Sequence, residues 1–508
     1  MKRILILALV FCLLSVSLLG CNKSDGKGQN STNEGTQTSE TNQNPNDNGL
    51  YDANGYLLDS LPNDLNFGGE TVNVLHWTET DVVEFNPKAE TQDAIEKAII
   101  ARDNAVATRL NVEFNWIATK GHWQSESAFV DKVQNSMMED GENRFDIIAT
   151  YSQSAAIIST HGFVLDLSGN LYLDLEKPWW PNSLIENFTV ENNLFFVSGD
   201  VSMTFLTQAI STVFNKGMLA GSYPDENLYE LVDNNQWTYE KMMTLAKDFY
   251  IDRGELGTKD AEDRYGVLCP WEIYLDGFFY GSDMVTVDHD SDNILHVNSD
   301  YVGEKGDLLA ESLKNLFHNS NVGYLKNDAG SIDIFANGEA AFMIAPASTI
   351  MGYLLDSDVE YGVLPMPKYD SMQENYKTVC TNLTSLYCIS ANSTKEQADR
   401  AGAVLEALAS ESYRSLSPVV FDKCLKSRYA KDGETGRMYD IIRAGVTFDI
   451  GRVYGRAALH DITQVNWQRV VIDGNRTWGA QSASVDSLLQ EYLIALNTTI
   501  NGLTGIKK

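Results

Sequence analysis

The most constraining stretch of the chain is residues 334–348, where a short apolar run is bounded by residues that end regular structure. Residues 340–345 have the length and composition of a buried strand. Asn337 and Gly338 break the chain just before this run, and Pro346 ends it. The pattern predicts a strand that is buried on both faces, as in a sheet covered by helices.

A predicted helix follows this strand and a second strand follows the helix. Ser348 is a suitable N-cap, and residues 348–355 place apolar side chains on one helix face. Residues 361–367 then form another apolar strand end. In open α/β sheets, buried strands that deliver their carboxyl ends to helix starts form the walls of ligand crevices.

These two strands carry a family resemblance. Residues 335–344 resemble the "nGeaAm.i" strand of extracellular solute-binding proteins of sugar-type ABC importers (family 1), and residues 361–367 resemble the "gv.plP" strand that follows it in that family. The alternative is that both are ordinary core strands of an unrelated α/β protein.

The first half of the mature chain alternates strands and helices. This order predicts a mostly parallel sheet with helices on both faces. The predicted strands are residues 71–77, 112–117 and 145–149, and the predicted helices are residues 91–110, 124–138 and 154–160.

Other segments resemble the same family in the same order. Residues 162–167 are similar to its "G.l.dL" segment, and residues 214–216 (FNK) to the "yNk" that ends the first strand of its second lobe. The resemblance implies an α/β, two-lobed, periplasmic-binding-protein-like (type II) fold with a cleft between the lobes. The crossing segments are expected near residues 194–203 and 376–385.

The implied domain organisation has five parts. We expect them to be a signal peptide (1–20), a lipid-anchored disordered tether (21–50), lobe 1 (65–196 and 380–425), lobe 2 (200–376) and a C-terminal helical segment that packs on the lobes (426–508).

The N-terminus has the features of a targeting segment. Lys2 and Arg3 precede an apolar run of signal-peptide length, and the run ends in a sequence that resembles a bacterial lipobox, with Cys21 as the lipidated residue. Leu19 departs from the lipobox pattern, because a smaller residue is commoner there, and ordinary secretion is the alternative. Residues 22–49 contain no apolar side chain, which predicts a flexible tether.

The charge balance excludes some partners. The 70 acidic residues outnumber the 38 basic ones, so phosphate backbones and anionic membrane surfaces would be repelled. We expect no nucleic-acid partner. A neutral ligand is compatible with this charge.

Motifs for metal or covalent chemistry are absent from the sequence. There is no HExxH, phosphate-binding loop or nucleophile elbow. Residues 288–293 resemble the start of a calcium loop, but Asn293 and Ser299 occupy its glycine and glutamate positions, so an acidic surface turn is expected instead. We expect no metal and no cofactor.

Four cysteines remain in the mature chain besides Cys21, and none has metal-ligand spacing. Four thiols permit three two-bridge pairings, but Cys380 and Cys388 are expected at the two ends of one extended segment, too far apart to pair with each other. Buried free thiols are the simplest expectation. The four cysteines are Cys269, Cys380, Cys388 and Cys424.

Aromatic and polar side chains near predicted strand ends are the candidate ligand contacts. Sugars present C–H faces that pack on aromatic rings and hydroxyls that need hydrogen-bond partners, although for each ring core packing is an equal alternative. The candidate ligand-binding residues are Trp77, Tyr151, Asp200, Ser202, Trp271, Tyr274, Asn382 and Trp478.

The sequence therefore predicts a binding protein and not an enzyme. It would be a monomeric, lipid-anchored subunit of an ABC importer on the extracellular face of the bacterial cytoplasmic membrane, binding a mono- or oligosaccharide by lobe closure and delivering it to a permease. Two alternatives are an anchored polysaccharide hydrolase and a ligand-sensing lipoprotein without a transport role.

Overall fold

The computed structural model describes most of the chain after the predicted tether, and residues 50–508 form one compact unit. The predicted signal peptide, the tether, the lipidation site Cys21, and Cys424 lie outside the described residues. The described residues are 50–79, 83–138, 144–354, 356–421 and 433–504.

The strands are short and separated by helices. In chain order they are β1 (Glu70–Trp77), β2 (Val112–Thr119), β3 (Ile147–Tyr151), β4 (Ile210–Asn215), β5 (Tyr265–Cys269), β6 (Val287–His289), β7 (Leu295–Val297), β8 (Gly323–Leu325), β9 (Ala340–Pro346), β10 (Tyr361–Leu364) and β11 (Ser385–Ile389).

The helices of the first two thirds of the chain cover the strands. They are α1 (Ala94–Leu110), α2 (Glu126–Met138), α3 (Ser152–Thr160), α4 (Asn182–Phe188), α5 (Met203–Thr207), α6 (Lys216–Ser222), α7 (Leu228–Asp233), α8 (Tyr239–Ala246), α9 (Leu275–Gly281), α10 (Ser299–Val302), α11 (Glu304–Lys314), α12 (Gly330–Ala336) and α13 (Ala347–Tyr353).

The last third of the chain is almost entirely helical after β11. Its helices are α14 (Lys395–Glu411), α15 (Ser417–Val419), α16 (Gly433–Ala444), α17 (Ile450–Val453), α18 (Gln464–Asp473) and α19 (Trp478–Thr504).

Two sheets organise the fold. The first has the order β11-β3-β1-β2, with β1 parallel to β2 and β3 and with β11 antiparallel to β3. The second has the order β10-β4-β9-β5-β8, in which β9, β5 and β8 are parallel and β4 and β10 are antiparallel to their neighbours. The mostly parallel first sheet confirms the prediction from the strand–helix alternation.

The apolar run that opened the sequence analysis is strand β9. All seven of its residues are buried, because it is a central strand between β4 and β5. The N-cap prediction for the helix after it is wrong. Helix α13 begins at Ala347 with Pro346 as its N-cap, and Ser348 lies inside the helix. Proline needs no hydrogen-bond partner for a backbone N–H, so it is well suited to this junction.

Two connections between the sheets run side by side. Val197 and Tyr387 exchange backbone hydrogen bonds of 3.0 and 2.8 Å on the side of the first sheet. On the side of the second sheet, Ala209 forms an antiparallel bridge with Cys380. The segment just after α16 also lies beside these two connections, because Val446 pairs with Thr378. Paired extended segments of this kind are suited to act as a hinge.

The C-terminal helices lie against elements of both sheets. Helix α19 is longer than the predicted helix over 485–496, and it contacts α3 next to the first sheet and α10, α11 and β7 next to the second. Its length follows from the apolar stripe that includes Leu489, Leu493, Leu496 and Ile500, all of which are buried.

The cysteines are not crosslinked. Within the described part of the chain, Cys269, Cys380 and Cys388 are buried free thiols. Burial raises the pKa of the Cys380 thiol to about 12, so it is held in the unreactive thiol form.

Candidate functional site

Tyr151 and Asn382 are brought together where the first sheet meets the second connection. Tyr151 is the last residue of β3, and it lies opposite Ser385, the first residue of β11, in the strand register. The residues before β11 therefore pass beside the start of α3. Ser152 Oγ donates a hydrogen bond of 2.9 Å to the carbonyl oxygen of Asn382. The Tyr151 hydroxyl donates to Gln153 Oε1 at 3.5 Å.

A row of aromatic rings leads from this point to the surface. The ring centroid of Tyr151 lies 5.6 Å from Trp77 and 5.9 Å from His122, and His122 lies 5.8 Å from Trp123. Trp77 is fully buried and Tyr151 nearly so, whereas Trp123 is 51% exposed. Trp123 therefore presents a free ring face at the end of the row, which suits stacking against an apolar face of a ligand.

Glu79 fixes the turn that carries Trp123. Its Oε2 accepts hydrogen bonds from the backbone N–H groups of Gly121 (3.0 Å) and His122 (2.9 Å). Burial alone would raise the pKa of Glu79, but these two donors outweigh it and lower the pKa. Because its pKa is lowered, Glu79 is a carboxylate at neutral pH, and the turn is held by a charged acceptor.

Arg452 joins the connections to the second sheet. Its Nε donates to Asp276 Oδ2 at 2.8 Å, and its Nη1 donates to the carbonyl oxygen of Cys380 at 2.8 Å. Its Nη2 is buried and has no hydrogen-bond partner among the described residues. Burial raises the pKa of the nearby Tyr151 phenol to about 12, an effect that Arg452 opposes. Both side chains therefore keep their protons at neutral pH and act as hydrogen-bond donors.

Glu126 and Arg456 form a second polar pair beside Tyr151. Arg456 Nη1 lies 3.4 Å from Glu126 Oε2, and Glu126 Oε1 is a buried acceptor without a partner among the described residues. Burial raises the pKa of Glu126, although Arg456 acts in the opposite direction. Glu126 Oε1 therefore offers an acceptor close to the Tyr151 hydroxyl. A ligand hydroxyl group, which both donates and accepts, satisfies this combination.

The second sheet contributes side chains from its own carboxyl edge. Trp271 and Tyr274 follow β5, and Thr349 follows β9, the parallel neighbour of β5. The hydroxyls of Tyr274 and Thr349 share a hydrogen bond of 3.0 Å. Trp271 is half-buried, in agreement with its position at the start of a turn rather than in the core.

The connections themselves are tightly packed. Ser152, Thr381, Thr384 and Arg452 line a cavity of about 20 Å³ between them. This volume is close to that of a single water-sized group. A whole sugar ring therefore does not fit between these side chains.

Three of the predicted site residues lie in the interior, where protein groups satisfy their polar atoms. Asp200 is fully buried and pairs with Arg443, and Ser202 is the N-cap of α5, where its hydroxyl also donates to Glu84 at 2.8 Å. Trp478 is fully buried, and its indole N–H donates to the carbonyl oxygen of Tyr301. All three support the packing of helices, because their polar atoms are already satisfied by protein partners.

Trp77 and Tyr151 end β1 and β3, Asn382 precedes β11, and Trp271 and Tyr274 follow β5, so their contact with a ligand stays a prediction. Trp77 lies behind Tyr151 rather than at the surface. Its indole Nε1 donates to Ser385 Oγ at 2.7 Å. Trp77 therefore orients its neighbours and presents no surface to a ligand.

Several cleft residues were not identified from the sequence. The local pattern does not identify Arg456, because it lies beyond the end of α17 (Ile450–Val453) and its spacing from Arg452 is not a helical one. In the C-terminal segment the sequence predicts one ligand contact, Trp478, and otherwise packing on the lobes. The missed residues are Glu79, Trp123, Glu126, Arg452 and Arg456.

Neither a metal site nor a membrane-spanning helix is found within the described ranges. No three His, Cys, Asp or Glu side chains there are grouped so that they could hold a metal ion. The turn that resembled a calcium loop connects β6 and β7, and Asp290 accepts backbone hydrogen bonds within it. None of the described helices has the length and apolar character needed to cross a bilayer.

Comparison with known proteins identifies the fold. No family model and no curated protein matches the sequence. Among solved structures, the maltose/maltodextrin-binding domain MalE from Bdellovibrio bacteriovorus bound to maltotriose is similar over 84% of this chain and 100% of its own, with 13% identity and a TM-score of 0.53. The cyclic α-maltosyl-1,6-maltose binding protein from Arthrobacter globiformis is similar over 84% and 99%, with 14% identity and a TM-score of 0.56.

A third structure with another kind of ligand is similar to the same extent. UgpB from Mycobacterium tuberculosis, in complex with glycerophosphocholine, is similar over 85% of this chain and 99% of its own, with 14% identity and a TM-score of 0.53. The chain therefore has the two-lobed α/β fold that these solute-binding proteins share.

Proposed function

We propose that this protein binds a small, neutral, polyhydroxylated solute in the cleft, most simply a mono- or oligosaccharide. The observation that carries the proposal is the row of rings that ends at Trp123, next to buried polar atoms that lack protein partners. A sugar has an apolar C–H face for the exposed ring and hydroxyls that both donate and accept. Glu126 Oε1 would accept from such a hydroxyl, and Arg452 Nη2 would donate to one.

The known ligands of proteins with this fold support this class of solute. MalE from Bdellovibrio bacteriovorus is bound to maltotriose, and the Arthrobacter globiformis protein binds cyclic α-maltosyl-1,6-maltose. UgpB is in complex with glycerophosphocholine, which makes a glycerophosphodiester the second class to test.

The mechanism would be lobe closure. The connections near Val197–Tyr387 and Ala209–Cys380 would absorb the rotation, because they are the extended segments that pass between the two sheets. Ligand would contact Trp123 and the Tyr274 region together only in the closed form. It would therefore shift the open–closed equilibrium by its difference in affinity for the two forms.

The cellular role would be that of a substrate-binding subunit of an ABC importer. Cys21 would carry the lipid anchor, and residues 22–49 would tether the protein to the extracellular face of the membrane, next to its permease. Lobe 1 would comprise residues 65–196 and 380–425 and lobe 2 residues 200–376, with the segment 426–508 supporting both. The protein would act as a monomer and would catalyse no reaction.

A thermal-shift and calorimetry screen tests the ligand class. The chain from Leu50 onward, which is the compact unit, would be incubated with maltose, maltotriose, maltotetraose and glycerophosphocholine. A true ligand at 100 times its Kd stabilises the native state by about 2.7 kcal/mol, which raises the melting temperature measurably.

Recovery of the ligand separates binding from hydrolysis. We expect the saccharide to be recovered intact by mass spectrometry after prolonged incubation. Cleaved fragments would support the anchored hydrolase instead, and no shift with any saccharide would contradict the carbohydrate assignment. Trp123→Ala is the matched variant, because it removes an exposed ring and leaves the core unchanged.

A further inference from the structure

A second pocket lies away from the cleft, between the loop that precedes α4, the connection helix α5 and the C-terminal end of α16. Its volume is about 390 Å³, which falls in the range of small-molecule sites. Pro178, Pro181, Phe205 and Val446 form apolar walls. None of the cleft residues described above lines it, so the two sites could be occupied at the same time.

One wall of this pocket is held rigidly. The indole Nε1 atoms of Trp179 and Trp180 donate to the two carboxyl oxygens of Glu406, at 3.2 and 2.9 Å. Both tryptophans are fully buried or nearly so, between two prolines that restrict the backbone. The wall is therefore formed before any ligand binds, and little conformational entropy is lost on binding.

Two side chains of opposite charge face the pocket from the same helix. Asp440 and Arg443 are three residues apart on α16, a spacing that puts their Cβ atoms about 5–6 Å apart. Arg443 pairs with the buried Asp200 through one nitrogen and packs over the Tyr413 ring. A guanidinium has five N–H donors, so this pairing leaves others for a ligand.

This arrangement selects the charge pattern of a ligand. A purely anionic molecule would be attracted by Arg443 and repelled by Asp440, and the reverse holds for a cation. A molecule in which a carboxylate and an ammonium group lie close together can pair with both side chains. Its apolar part would then lie against the proline and phenylalanine walls.

We propose that this pocket is a second ligand site that takes a free α-amino acid with an apolar side chain. The carboxylate would bind Arg443 and the ammonium group would bind Asp440. This proposal is independent of the function assigned to the cleft.

Calorimetry and ligand-detected NMR on the full-length protein test it, with L-phenylalanine as the probe. Two analogues isolate the charges, since 3-phenylpropionate lacks the ammonium group and phenethylamine lacks the carboxylate. We expect L-phenylalanine to bind at one site and each analogue to bind about tenfold more weakly or worse, the effect of losing one charge-assisted hydrogen bond. Saturating maltotriose should not displace the amino acid.

Three variants assign the binding to this pocket. Ala444→Trp places a large ring in the pocket from an exposed position and should abolish binding, whereas Ala480→Trp, at an exposed position on α19, should leave it unchanged. Asp440→Asn should weaken L-phenylalanine about tenfold and leave 3-phenylpropionate unaffected or improved.

The proposal is overturned by any of three results. These are no binding of L-phenylalanine at about 10 mM, equal binding by the Ala444→Trp and Ala480→Trp variants, or equal affinity for all three probes.

Discussion

Glu406 allows a quantitative test of how burial changes the protonation of a carboxyl group in the core. It lies on α14 and is 1% exposed, and its carboxyl group accepts hydrogen bonds from the Trp179 and Trp180 indoles and from the backbone N–H of Asp174. Burial raises its pKa to about 8, and these hydrogen bonds only partly offset the effect. The native protein therefore holds a neutral carboxyl group at a pH where the unfolded chain holds a carboxylate.

The sign of the pH dependence follows from this difference. A carboxyl group with a raised native pKa contributes stability that is fully present below its unfolded pKa, near 4.5, and that is lost as pH rises toward 8. With one pKa unit equal to about 1.4 kcal/mol, Glu406 alone lowers the free energy of unfolding by about 3–4 kcal/mol between pH 5 and pH 8. The loss is steepest between pH 5 and pH 7.

The variant Glu406→Gln removes the titration and keeps an acceptor oxygen for an indole. We expect its stability to change less with pH than that of the wild type, with the difference growing to about 3–4 kcal/mol by pH 8. Urea unfolding followed by tryptophan fluorescence at pH 5, 6.5 and 8 measures it. Glu396→Gln, at an exposed position on the same helix, removes the same formal charge and should leave the pH dependence unchanged.

The reasoning would be refuted if wild type and Glu406→Gln lost stability in parallel between pH 5 and pH 8. That result would mean that Glu406 is ionised in the native state.

Three further changes have distinct expected results. Trp123→Ala should weaken saccharide binding about tenfold or more in calorimetry, with little change in melting temperature, because the lost ring is exposed and its neighbour in the row is the partly buried His122. Arg443→Gln should lower the free energy of unfolding by about 3–5 kcal/mol in urea titration, because it leaves the buried carboxyl group of Asp200 without its partner. Gly199→Ala should lower the melting temperature by an amount equivalent to about 2 kcal/mol or more, because Gly199 has a φ of +150° and a Cβ there would collide with the carbonyl oxygen of Trp179.

Each of these has an outcome that would contradict it. Unchanged affinity in Trp123→Ala would remove that ring from the binding site. For the buried pair, Asp200→Asn combined with Arg443→Gln should recover much of the lost stability, and failure to do so would show that the charge left unpaired is not the cause. A wild-type melting temperature in Gly199→Ala would mean that the loop carrying Trp179 can move aside.

The sequence by itself determined the elements that depend on local pattern. The apolar run of β9 is a buried strand because it is short, it lies between Gly338 and Pro346, and all its side chains suit the middle of a covered sheet. The alternation of strands and helices in the first half likewise gave the mostly parallel first sheet. The motifs around β9 and β10 also indicated the two-lobed fold, which the similar solved structures bear out.

Only the tertiary structure decided which side chains face the cleft. Asp200 and Ser202 lie in the predicted crossing region, yet both point into the interior, because Arg443 and Glu84, far away in sequence, satisfy their polar atoms there. Trp123 shows the opposite case, since its turn carries no strand or helix signal and is fixed by the carboxylate of Glu79.

The C-terminal segment shows why such residues escape a reading of the sequence. Arg452 and Arg456 follow more than 60 residues after β11, and the pairing of Thr378 with Val446 returns the chain to the hinge. Periodicity reports which face of an element is buried. What it is buried against depends on partners hundreds of residues away, and those partners determine which polar atoms remain free to bind a ligand.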